Sequence, residues 1–216
     1  MDWNKWKDFW DSNDEKAWKD HEQEYSNAIQ ESNLALEQEL EGFDINNVWK
    51  WEPTEFYEFL DKKYFVWKYT AKNRLSTTRE KLKTITNPEL SFIMKALKAF
   101  SEELSNMNGY DENTIKIGFN LITMIPGLGI AGTSGLLSIL FPKYYGTVDQ
   151  FVVKSLKEAG VKLSVRNPVS INLKGAIELE KIMYNKAQEL NNRNGTSYWT
   201  PRKIDKVLWA HRSNDK

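Results

Sequence analysis

The residues best suited to chemistry gather around one glycine-rich turn and one carboxylate. Ile125-Pro126-Gly127-Leu128-Gly129 is a tight turn between two apolar segments, and Ile130-Ala131 opens the second of them. Glycine permits close backbone approach and positive φ at such a turn. Its N–H groups, with those of a helix starting just after it, make an anion site suited to a DNA phosphate. Twenty residues past Gly129 stands Asp149, in the setting Gly146-Thr147-Val148-Asp149-Gln150. Thr147 and Gln150 have capping-box spacing, which starts a helix there and puts Asp149 in its first turn. An acid at that place satisfies the helix dipole, worth a few tenths to about 1 kcal/mol.

Cations and rings supply the remaining candidates. Lys143 lies between the turn and Asp149. Thr200-Pro201 is a strong helix start, and it puts Arg202 and Lys203 in the first turn. Those cations sit at the wrong end for the dipole, at about 0.3–1 kcal/mol each, which an anion such as a phosphate would offset. The alternative is an exposed Arg202–Asp205 pair above packed Leu208 and Trp209. From Lys62 to Arg74 basic and aromatic residues interleave as nucleic-acid surfaces require, cations meeting phosphate and rings stacking on bases. Tyr64, Trp67, Lys68 and the distant Trp199 are the candidates for a base pocket. A core helix with buried rings and outward-snorkelling lysines fits the same residues.

The elements that must position these groups read as helices. Asp111 can cap a helix running to Met124, with Ile115, Phe119 and Ile122 on one face. Ala131 to Leu140 forms a second helix of small and apolar residues packed on the first. Gly118 to Phe141 carries no charge, so it is long enough to span a bilayer, yet Pro126, five glycines and Asn120 interrupt it. Gly127-x-Gly129-x-x-Gly132 also matches a dinucleotide fingerprint, which needs a preceding strand that the pattern does not provide. A buried hairpin that only holds the core together remains open as well.

On these residues the stretch resembles the helix-hairpin-helix DNA glycosylase superfamily, whose hairpin reads Leu-Pro-Gly-Val-Gly and is followed at this distance by an essential aspartate. Ile125 to Gly129 matches the hairpin and Asp149 the aspartate. Family members with lyase activity carry a lysine where this chain has Ala131, so the resemblance is to the monofunctional branch. It implies an all-α fold that binds duplex DNA through Pro126, Gly127, Gly129, Ile130 and Ala131, and a base flipped into a pocket. It also implies that Asp149 stabilises the cationic sugar and assists the attacking water, which is electrostatic stabilisation combined with general-base help. A non-catalytic DNA-binding module and a helical protein-interaction domain are the alternatives.

Composition narrows the field. Without cysteine there are no disulfides, no thiol catalysis and no cysteine-bound iron–sulfur cluster, and two histidines far apart in sequence do not make a zinc site. No cofactor is expected. The charged, aromatic N-terminus is unlike a signal peptide, so a cytoplasmic protein with no membrane partner is expected.

The net charge of zero hides a split. Residues 1–61 hold 5 Lys+Arg against 17 Asp+Glu, and residues 62–216 hold the other 25 against 13. A boundary near Pro53 would separate an acidic, Trp-rich helical extension, 1–50, from a basic glycosylase-like domain, 51–216. Trp3, Trp6 and Trp10 recur at helical spacing and read as a stripe docking a short helix onto the core, or as a contact for a protein partner. Asp14 to Leu40 reads as one long, mostly exposed helix. Leu90, Phe92, Ile93, Leu97 and Phe100 form the apolar face of a helix opened by Asn87-Pro88, and residues 161–171 an extended loop.

Overall fold

The computed structural model describes residues 3–29 and 31–211, apart from the side chains of Trp3, Asn4 and Ser32. The fold is all-α, with no strand among the described residues. In chain order the helices are α1 (Trp3–Trp10), α2 (Glu15–Ala28), α3 (Glu31–Glu41), α4 (Ile45–Val48), α5 (Pro53–Phe59), α6 (Phe65–Lys68) and α7 (Lys72–Leu82). They continue as α8 (Asn87–Ser105), α9 (Glu112–Thr123), α10 (Ile130–Leu140), α11 (Gln150–Glu158), α12 (Leu173–Asn194) and α13 (Pro201–His211). A π-helical turn, Leu60–Tyr64, links α5 to α6. No described helix is long and apolar enough to cross a membrane.

The chain forms two compact units, Met1–Gln30 with Pro142–Lys216, and Glu31–Phe141. The join read near Pro53 falls inside the second of these. The acidic stretch 14–40 is two helices rather than one. Ile29 is extended at the end of α2 (φ −76°, ψ 139°), and α2 and α3 belong to different units.

In the unit built from both ends of the chain, α13 is the centre and packs against α2, α11 and α12. Ile204, Val207, Leu208 and Ala210 are fully buried along it. Trp18 and Tyr25 are the buried residues of α2, one face of an otherwise polar helix. Trp6 and Trp10 are buried too, and the Trp6 indole N–H donates to the Ser155 carbonyl at 2.8 Å. His211 stacks on Trp6 at 3.7 Å, and Lys186 lies 4.9 Å over Trp10 while donating to the Trp10 carbonyl. Trp3 of the expected stripe has its side chain outside the described residues. Residues 161–171 run as a loop, with Ser164 held by the Glu178 carboxylate.

In the second unit strong start signals set the helices. Thr86 and Glu89 form a capping box at α8, and Glu52 and Glu55 form one at α5 behind Pro53. Asp111 caps α9 by accepting from the Thr114 N–H at 2.6 Å. Leu90, Ile93, Leu97, Phe100 and Leu104 bury one face of α8, while Phe92, placed on that face by the sequence pattern, is 58% exposed. The reason is angular: Phe92 is adjacent to Ile93 in sequence and so lies about 100° away from it around the helix. Gly132 to Leu140 is buried on every side, which accounts for the uncharged run without a bilayer.

Trp6, Trp10, Trp18 and Tyr25 are buried, so residues 1–50 supply core as well as surface. Each large-to-small change among such rings costs about 3–5 kcal/mol. A chain lacking residues 1–50 is therefore expected to lose near-ultraviolet circular dichroism and cooperative urea unfolding. A sharp, wild-type-like transition in the truncated protein would refute this.

Candidate functional site

The glycine turn lies in the 31–141 unit, between α9 and α10. Leu128 is buried and its N–H bonds the Ile125 carbonyl at 3.3 Å. Gly127 has φ +95°, and a Cβ there would lie 3.0 Å from the Thr78 carbonyl and 3.3 Å from the Lys81 Cβ. The position therefore needs glycine twice over, for its backbone angle and for its contact with α7. Gly129, by contrast, is exposed at φ −87°, and a Cβ on it would meet nothing within 4 Å. It starts α10 with no side-chain cap. The first-turn N–H groups thus lack intrahelical partners at the positive end of the helix dipole. Pro126, Ile130 and Ala131 around them are half-buried.

The basic-aromatic stretch wraps the same unit. Tyr64 is fully buried and donates its hydroxyl to the Gly132 carbonyl, so it braces α10 from inside. Phe65 is buried beside it, whereas Lys62 and Lys63 point outward to Glu58 and Glu39. Trp67 is half-buried, donates its indole N–H to Glu37, and has Lys68 5.7 Å over its ring. For Tyr64 and Phe65 the interleaving is thus rings inward and lysines outward. Trp199, the fourth pocket candidate, lies in the other unit. It is buried against Trp18, and its backbone is held in both directions by the Asn191 amide.

Asp149 also lies in the unit formed by the chain ends. It is the N-cap of α11 rather than a first-turn residue, extended at φ −147°, ψ −177°. Its Oδ1 accepts from the Phe151 and Val152 N–H groups at 2.8 and 3.2 Å. Among the described residues its Oδ2 accepts no hydrogen bond. Thr147 does not cap, because it is occupied elsewhere: its N–H donates to Asp205 Oδ2 at 3.0 Å and its hydroxyl accepts from Arg202 Nη1 at 3.2 Å. One residue earlier, the Gly146 N–H donates to Glu180 Oε2 at 2.8 Å.

The cations at the start of α13 are engaged within their own unit. Arg202 pairs with Asp205 at 2.6 Å, with side-chain exposures of only 11% and 2%, so the pair is buried where the sequence suggested an exposed one. Lys203 lies over the Tyr198 ring and 3.7 Å from Glu22, and burial lowers its pKa below the usual lysine range. Burial and then the Glu22 hydrogen bond push the Tyr198 hydroxyl up. Lys143 is exposed.

Sequence reasoning missed Glu180 and the burial of Asp205; both residues are essentially without exposure. A signal was present. Glu180 sits three residues from both Ile177 and Met183 on the apolar stripe of α12, and Asp205 three residues from Leu208 on that of α13. Burial pushes the Glu180 carboxyl well above the usual carboxylate range; the Gly146 N–H opposes this and the nearby Asp205 adds to it. Among the described residues no group of three or more His, Cys, Asp or Glu could hold a metal ion. The arrangement thus offers an uncapped helix start beside a glycine turn in one unit, and a carboxylate with one anchored oxygen in the other. No protein-family model, curated protein or solved structure matches the chain.

The Glu180 shift sets a sign for stability. The folded chain keeps a proton that the unfolded chain releases near the ordinary 4.5. That contribution is complete below 4.5 and is lost as pH rises through the folded value. Glu180→Gln, neutral throughout, is expected to flatten the fall in urea midpoint above pH 4.5 and to exceed wild type at neutral pH. An unchanged slope would show that Glu180 is not the group responsible.

Proposed function

We propose that this chain binds duplex DNA and, as a monofunctional glycosylase, hydrolyses the N-glycosidic bond of a damaged or modified base. The observation that carries the chemistry is Asp149, whose Oδ1 is fixed by two N–H groups of α11 and whose Oδ2 accepts no hydrogen bond among the described residues. A carboxylate so held keeps its direction without reorganising and can face developing positive charge. As the bond from the sugar C1′ to the base nitrogen breaks, the departing base takes the electron pair and then a proton from solvent. Asp149 stabilises the cationic sugar and accepts the proton of the water whose oxygen joins C1′. The target base must first leave the stack.

The α9–turn–α10 pair supports DNA as the partner, as a helix-hairpin-helix clamp whose free N–H groups face a phosphate. Alanine at 131, where the lyases of the resembled superfamily carry lysine, leaves the cleaved product an intact strand with an abasic site. Electrostatic binding of this kind weakens steeply with salt.

Two variants test the proposal. Asn caps helices about as well as Asp, so Asp149→Asn keeps α11 while removing the charge. It should slow base release by roughly a hundredfold or more and leave duplex affinity unchanged. The assay incubates duplexes bearing uracil, hypoxanthine, ethenoadenine or oxidised guanine, then breaks abasic sites with alkali. If no duplex yields alkali-labile sites, the chain is a binding module without this chemistry. Gly129→Asp has room for its side chain and adds a helix cap, so it should not destabilise the fold. It should nonetheless weaken duplex binding by about tenfold through its negative charge, on the scale of a few tenths to 2 kcal/mol for charge at a helix end. Wild-type affinity in that variant would remove the turn from the DNA contact.

A further inference from the structure

We propose that Asp205, with Arg202 and Glu180, positions the Asp149 carboxylate by gripping the loop that precedes it. This rests on the reading of Asp149 as the reacting group, but the grip itself is a separate claim about the loop.

The segment Pro142–Val148 has no regular hydrogen-bond ladder of its own. Tyr145 and Val148 are fully buried, so the intervening amides need partners inside the protein. Two helices supply them. Glu180 of α12 accepts from the Gly146 N–H at 2.8 Å and Asp205 of α13 from the Thr147 N–H at 3.0 Å, so successive amides are held by two carboxylates. Arg202 then ties the same ends together, reaching Asp205 Oδ2 at 2.6 Å and Thr147 Oγ1 at 3.2 Å. The backbone also approaches α13 closely at Gly146, where a Cβ would lie 2.9 Å from the Pro201 carbonyl and 2.8 Å from Met183.

Two residues past Thr147, the chain reaches Asp149, and its Oδ1 is tied to the Phe151 and Val152 amides. Val148, the one residue between Thr147 and Asp149, is fully buried. The direction of Oδ2 is therefore set by where Thr147 is held. Buried carboxylates are costly to keep unless they bond well. A role in fixing one carboxylate gives two of them, on facing helices, a use that packing alone does not require.

Asp205→Asn keeps the shape and an acceptor for Thr147 but loses the charge that holds Arg202. Hydrogen exchange in the full-length variant is expected to show lost protection at Thr147, Phe151 and Val152, while α2 and the middle of α12 stay as in wild type. In single-turnover assays on the duplexes above, the rate should fall by roughly tenfold to a hundredfold, with duplex affinity unchanged. Thr147→Val, which removes only the hydroxyl that Arg202 reaches, should give a smaller loss of protection in the same segment. It carries the test should Asp205→Asn fail to fold. Protection at 146–152 equal to wild type in a folded variant would overturn the grip. So would loss spread evenly over α2, α12 and α13, because that pattern marks a merely structural residue. A wild-type rate despite lost protection would overturn positioning. A wild type inactive on every duplex would sink the glycosylase reading, while the exchange result would still decide the grip.

Discussion

A carboxylate removed from water needs hydrogen bonds or a counter-ion to remain there, and the unit formed by the two chain ends depends on how it meets that need twice. Glu180 and Asp205 are both essentially unexposed, on α12 and α13, and each accepts an N–H from one irregular loop. The need runs in both directions. The loop buries Tyr145 and Val148, and its amides would be stranded without these acceptors. Asp205 has the Arg202 guanidinium, whereas Glu180 is held well above the usual carboxylate range by burial. One acid is thus offset by a cation, while burial makes the other hold its proton more tightly.

Much else in that unit follows. Arg202 is absorbed by Asp205 and Thr147, so its place at a helix start is an internal matter, although its charge opposes the dipole there. Thr147 is withdrawn from capping, and the next residue able to cap, Asp149, takes the start of α11. The tryptophans of α1 and α2 belong to the same core, with Trp6 bonded to Ser155 and stacked on His211.

In the 31–141 unit the controlling constraint is backbone approach. The helix α10 is buried from Gly132 to Leu140, and Gly127 presses on Thr78 and Lys81 of α7. A helix so enclosed must be apolar all round. A turn so closely packed must be made of residues without bulk. Tyr64 completes the enclosure by bonding the Gly132 carbonyl, so an aromatic ring among lysines serves the interior.

The sequence by itself determined the all-α class, the cap at Asp111 and the turn at Gly127, because these depend on local backbone chemistry within a few residues. The apolar stripes of α8 and α9 were legible for the same reason, since helical period alone defines a face. Tertiary structure decided the rest. It split residues 14–40 into two helices, because Trp18 and Tyr25 bury themselves in one unit while Leu40 is buried in the other. It chose Asp149 over Thr147 as a cap, though either residue type can serve, because partners from α13 had already taken Thr147. It also turned Arg202 inward and joined Glu180 and Asp205 to one loop. Those contacts link residues 34 to 58 positions apart, and no local pattern records which distant amide a buried acid will meet.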